Sequence, residues 1–163
     1  MAGAIACHLK GPTVNKYLSL GVFLVAVVGI GMFIGIATPP GDWYAGLAKP
    51  SFNPPNWLFA PVWTILYILI AIVGWRTWQR EPAGIDMKLW FAQMALNFAW
   101  SPVFFAAHAP AAAIIIIVLL LWTIGIFIAR TLKPDPPSAW MFLPYFAWVS
   151  FATLLNAAIL RLN

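Results

Sequence analysis

Charge is scarce in this chain, and acidic charge is scarcer still. Of 163 residues, 8% are charged and only four are Asp or Glu. Asp42, Glu81, Asp86 and Asp135 all fall in linkers or at the ends of apolar runs, so none sits at the depth where proton relays, ion pathways and voltage sensors keep their ionisable groups. That argues against a proton-coupled pump or ion transporter. Cys7 is the single cysteine, which rules out an intrachain disulfide. Paired carboxylates, a Ser or Cys beside a base, and a metal-ligating cluster are all missing, so no conventional catalytic set is present. The basic residues are scattered rather than gathered into a stripe, and the net charge of +5 therefore gives no reason to expect nucleic acid.

What the chain has instead is apolar length. Hydrophobic residues make up 63% of it, against roughly 45–50% in a soluble domain, and segments of about 20 apolar residues, each enough to cross a bilayer, account for nearly all of it. The first runs over 17–38 and stops at Pro39, Pro40 and Gly41, which cannot continue a helix. The second covers 57–78, with Arg76 placed to snorkel to the interface. The others cover 87–107, 111–129 and 138–160. The expectation is an all-α membrane protein, one five-transmembrane-helix bundle over 1–163 with no soluble domain left over. Lys10 and Lys16 precede the first run as in a secretory signal, but that run exceeds the roughly 7–15 residues of a signal core and reads as a retained span. Cys7 reads as a free thiol for the same reason of length.

Five spans put Lys10, Lys16, Arg76, Arg80, Lys88, Arg130 and Lys133 on one side and only Lys49 and Arg161 on the other. The positive-inside rule then places the N-terminus in the cytoplasm and the first loop and C-terminus outside. Helical spans also argue for a cell (inner) membrane over the barrel architecture of an outer membrane.

Polar groups within the spans are neutral: Thr64, Gln93, Asn97, Ser101, Thr123, Ser150, Thr153 and Asn156. Their plain role is hydrogen bonding between helices. Residues three and four apart share a helix face, and by that spacing Gln93, Asn97, Trp100 and Phe104 align on the third span. Tyr145, Trp148, Ala152, Asn156 and Ile159 align on the fifth, and Trp63 and Tyr67 lie one turn apart on the second. These faces can meet as an apolar pocket with a few polar groups, the usual character of a small-molecule site. Trp57, Trp75, Trp78, Trp90 and Trp140 lie near span ends, where an interfacial belt explains them. Trp63, Trp100 and Trp148 lie deeper.

The first outer loop is the densest stretch. It reads Trp43-Tyr44, Leu47, Lys49-Pro50, Pro54-Pro55 and Trp57, then Pro61-Val62-Trp63 and Tyr67, stiffened by its prolines. In this pattern the chain closely resembles the tryptophan-rich sensory protein and translocator protein family. The resemblance extends through Gln93, Leu96-Asn97, Trp100, Pro102 and Phe104-Phe105 to Pro144-Tyr145, Ala147-Trp148, Phe151-Ala152, Leu155-Asn156 and Arg161. It covers roughly residue 41 to the C-terminus, with the first span matching only in character.

The resemblance implies a five-helix bundle, commonly a homodimer, with a cavity roofed by the first loop and lined by spans one, two, three and five. It implies ligands such as porphyrins (protoporphyrin IX or haem) and other hydrophobic small molecules, with no cofactor required. Carried over position by position, the site residues would be Tyr44 and Pro54 from the loop, Trp63 and Tyr67 from span two, Asn97 and Trp100 from span three, and Trp148, Ala152 and Asn156 from span five.

The animal sterol motif needs a tyrosine ahead of the terminal Arg, but Ala157 and Ala158 stand before Arg161, so sterol transport is not expected; such motifs are weak patterns in any case. His8 and His108 fall on opposite sides of the membrane and cannot clamp one haem iron. Three functions follow. The first is a receptor or translocator for a flat apolar ligand in tetrapyrrole transport, sensing or regulation. The second is a photo-oxidative enzyme degrading porphyrin through Trp43, Trp63 and Trp148. The third is an assembly protein pairing through the small residues Gly31 and Gly35, or Ala95 and Ala99. The missing catalytic set favours the first.

Overall fold

The computed structural model describes residues 16–163; the expectations for Cys7, His8 and Lys10 lie outside the described residues. Regular structure among the described residues is entirely helical. Helix α1 covers Lys16–Ala37, a short α2 Asp42–Gly46, α3 Phe59–Arg80 after a 3-10 turn at Asn56–Leu58, α4 Ile85–Ser101, α5 Pro110–Thr131 and α6 Pro136–Leu162. Helices α1, α3 with its 3-10 lead-in, α5 and α6 are each long and apolar enough to cross a membrane. Helix α4 is shorter at 17 residues, but it runs straight into a π-helical turn at Pro102–Ala106.

Proline sets several of these boundaries. Pro110 and Pro136 open α5 and α6, where their missing N–H is not needed. Pro144 lies inside α6 and cannot donate to the preceding turn.

The five long helices form a ring: α1 packs on α3, α3 on α6, α6 on α5 and α5 on α4, while α4 touches α1 only sparingly. Leu66, Ile70, Val73, Trp90, Leu120, Ile124, Phe127, Phe142 and Tyr145 fill its centre. Trp90, expected in the interfacial belt, is only 4% exposed. Gly74 opposite it has no side chain, and a Cβ there would collide with the indole. The Trp90 Nε1 donates to the Ile70 carbonyl at 3.0 Å, so a helix carbonyl's second lone pair satisfies a buried donor. Trp57, Trp78 and Trp140 are exposed.

At the end of the ring where α3 and α5 finish and α4 and α6 begin, charges meet. Arg80 and Arg130 both bond the Asp86 carboxylate at 2.7 Å. Arg76 pairs with Asp135, and Arg80 reaches it at 3.3 Å. Asp86 and Asp135 are 3% and 7% exposed. Burial alone would raise the Asp135 pKa, but hydrogen bonds from Arg76 and Ser138 and the charges of Arg76 and Arg80 outweigh it and hold the carboxyl below its ordinary value. Arg76 ties α3 to the start of α6, also bonding the Ser138 hydroxyl at 3.2 Å.

Several hydroxyls expected to link helices do not. Thr64, Thr123, Ser150 and Thr153 each donate to the carbonyl four residues back in their own helix at 2.8 Å, the local bond open to any helical Ser or Thr. Ser101 behaves as expected, sharing a 2.8 Å hydrogen bond with Thr38 across the sparse α1–α4 seam.

Candidate functional site

At the opposite end the ring is not filled. A cavity of about 420 Å³ lies between the last two turns of α1, the first half of α3, the end of α4 and the middle of α6, within the range of small-molecule sites (roughly 300–1,000 Å³). Aromatic rings wall it. Trp63 and Tyr67 come from α3, Trp100 from α4, Trp148 from α6 and Phe105 from the π turn, and Tyr44 reaches in from α2. Met32 and Ile36 of α1, with Ala60 and Thr64 of α3, border the cavity and are exposed.

Ring contacts hold these walls in place. Trp63 lies 5.3 Å from Tyr67 and 6.4 Å from Tyr145. Phe59 meets Trp148 edge-on at 5.7 Å. Trp100 stacks on Phe104 at 5.1 Å, and its Nε1 donates to Asn156 Oδ1 at 3.3 Å. The π turn adds one residue per turn to the end of α4, setting Phe104 and Phe105 side by side against Tyr44.

The roof is tied down at three points. Trp43 stacks on His108 at 4.4 Å, and His108 adopts a left-handed backbone with φ 51°. Tyr44 donates to Asn53 Oδ1 at 3.3 Å beneath the Lys49 ammonium, 4.8 Å from its ring; burial raises the Tyr44 pKa, keeping the phenol neutral. Asn163 bonds both the N–H and the carbonyl of Ala48, at 3.0 and 3.1 Å, joining the loop to the end of α6.

Beneath the cavity lies a polar chain. Tyr67 Oη donates to Asn97 Oδ1 at 3.1 Å, Asn97 Nδ2 to Tyr145 Oη at 2.8 Å, and Tyr145 Oη to Gln93 Oε1 at 2.9 Å. Gln93 and Tyr145 are fully buried. Together these four link α3, α4 and α6.

Of the nine residues singled out in the sequence, Tyr44, Trp63, Tyr67, Asn97, Trp100, Trp148 and Ala152 border the cavity. Pro54 and Asn156 do not. Pro54 stays in the loop, where its carbonyl accepts from Asn53, and Asn156 stands behind Trp100, also donating to the Pro110 carbonyl at 3.1 Å. Trp43, considered for photochemistry, also lies off the cavity, against His108 and Phe104. Gly31 and Gly35, considered for pairing between chains, face inward. A Cβ at Gly31 would strike the Tyr67 ring, while Gly35 has open space before it and borders the cavity. Their four-residue spacing signals one helix face, but not which side of the helix it serves. Thr38 and Phe105 also border the cavity; Thr38 went unnoticed and Phe105, though part of the family pattern, was not carried over as a site residue, since neither belongs to an aligned polar or aromatic face.

The arrangement offers broad ring faces and a neutral polar floor. Among the described residues there is no group of three or more His, Cys, Asp or Glu able to hold a metal.

Comparison with known proteins gives one consistent result. A family model described as the TspO/MBR family matches residues 22–162. The chain is 40% identical over 154 residues to "Tryptophan-rich protein TspO" of Chlorobaculum tepidum, spanning 86% of this chain and 95% of that one. It is 38% identical to "Protein CrtK" of Rhodobacter capsulatus over 87% of this chain and 91% of the relative. It is 34% identical to the human "Translocator protein" over 82% and 84% of the two.

Proposed function

The chain belongs to the TspO/MBR family, and on that premise we propose that it is a five-span receptor or translocator that binds porphyrins and similar flat hydrophobic molecules inside the bundle, with a role in tetrapyrrole transport, sensing or regulation. The observation that carries this reading is the cavity walled by Trp63, Trp100 and Trp148. A planar macrocycle stacks on such faces, while tyrosine hydroxyls and the Asn97 amide meet its polar edge groups.

In this reading α4 and its π turn form the third of five spans, and the protein sits in a bacterial inner membrane as a homodimer. The basic ends of α3 and α5 lie at the same end of the ring as the start of α1, which supports a cytoplasmic N-terminus and an outer roof.

Titrating the purified protein with protoporphyrin IX and following tryptophan fluorescence tests the proposal. Quenching should saturate, and Trp148→Ala should weaken binding about tenfold, the loss of roughly 1.4 kcal/mol of stacking and contact. Unsaturable quenching, indifferent to that substitution, would defeat it.

A further inference from the structure

The buried chain beneath the cavity contains one misfit. With Gln93 Oε1 accepting from Tyr145, the Gln93 Nε2 is buried without a partner. An orphaned buried N–H is rarer and costlier than an under-satisfied carbonyl. The two ends of an amide are told apart by the network around them. Turning the amides of both Gln93 and Asn97 keeps the same contacts at 2.9, 2.8 and 3.1 Å and reverses every proton. Gln93 Nε2 then donates to Tyr145, Tyr145 to Asn97 Oδ1, and Asn97 Nδ2 to Tyr67 Oη. What remains unpaired at the buried end is a carbonyl.

The consequence appears at the other end, where Tyr67 and Asn97 border the cavity. Because Tyr67 now accepts from Asn97, its own hydroxyl hydrogen is released. The neighbouring hydroxyls are engaged elsewhere: Thr64 donates to the Ala60 carbonyl, Thr38 to the Ile34 carbonyl, and Thr38 and Ser101 share a hydrogen bond, which leaves the unpartnered Trp148 Nε1 as the other donor on the wall. We propose that Tyr145, which does not border the cavity, is a positioning residue that sets the polarity of its floor by donating to Asn97, so that Tyr67 donates a hydrogen bond to an acceptor on the ligand such as a carbonyl or carboxylate oxygen. This rests on the porphyrin-binding reading and names the group that orients the ligand.

Two porphyrins separate the possibilities: protoporphyrin IX, which carries carboxyl groups, and etioporphyrin, whose edge is wholly alkyl. Comparing each variant with the wild type for each porphyrin cancels their different partition into detergent or lipid. Tyr67→Phe should weaken protoporphyrin IX about tenfold, one hydrogen bond to a charged or strongly polar acceptor, and change etioporphyrin less than about twofold. Gln93→Met leaves Tyr145 only Asn97 to donate to, so the outward direction persists and both affinities should stay within about twofold. If the protons run inward instead, Gln93→Met frees the chain to reverse and protoporphyrin IX gains affinity over etioporphyrin. That gain, or an equal effect of Tyr67→Phe on both porphyrins, overturns the inference. Wild-type protein that binds neither porphyrin saturably would instead overturn the function on which it rests.

Discussion

The two ends of the helix ring solve opposite problems with different chemistry. At the end where α3 meets α6, Asp86 and Asp135 are buried and gripped by Arg76, Arg80 and Arg130, and the bundle directly behind them is packed solid with Phe127 and Phe142. At the other end no charged side chain borders the cavity, the polar groups are amides, hydroxyls and indole N–H groups, and about 420 Å³ stays unfilled. A cavity costs stability because its lining loses contact partners. The charged end has the geometry of a clamp: each carboxylate bridges helices that are distant in sequence, and one-sided removal leaves a buried charge unpaired. The lesson is a division of labour, with one end holding the bundle together and the other left open for a ligand.

The largest effect should come from breaking the clamp. Asp86→Ala strips Arg80 and Arg130 of their shared partner and should lower stability by about 2 kcal/mol, less than the ~3–5 kcal/mol of a fully buried pair because both arginines keep some solvent. Thermal unfolding in detergent measures this, and porphyrin affinity of the folded fraction should not move. Next comes a change confined to the cavity. Gly35→Leu meets no atom within 4 Å of its first carbon and projects into the ligand space, so binding should fall at least tenfold, or ~1.4 kcal/mol, with the unfolding temperature unchanged.

The smallest effect is the acid response. The Asp135 carboxyl has a folded-state pKa below its ordinary value, so its stabilisation is complete above the unfolded value of about 3.9 and is lost as pH falls through the lower folded value. The unfolding temperature should therefore drop in strong acid, and Asp135→Asn should flatten that limb.

How much of this could be read beforehand also divides by region. Much of the cavity end was legible: helical periodicity groups Gln93, Asn97 and Trp100 on one face of α4 and Trp148 and Ala152 on one face of α6. The five apolar runs likewise fall within a few residues of the five long helices. The clamp was not legible. Asp86 and Arg130 are 44 residues apart, and nothing local distinguishes a carboxylate in a linker from one that locks two helices. Trp90 was misplaced for a related reason, since nearness to a span end suggests an interface, whereas a partner across the ring decides burial. The π turn has no periodic signature, so the inward placing of Phe105 could not be foreseen.

Hydrogen exchange read by mass spectrometry, with and without saturating protoporphyrin IX, tests the division between ends most directly. The account predicts added protection in 31–44, 59–67, 97–106 and 148–152, which surround the cavity, and none in 76–90 or 130–142 around the ion pairs. Protection centred on the charged end, or spread evenly over all five long helices, would contradict it.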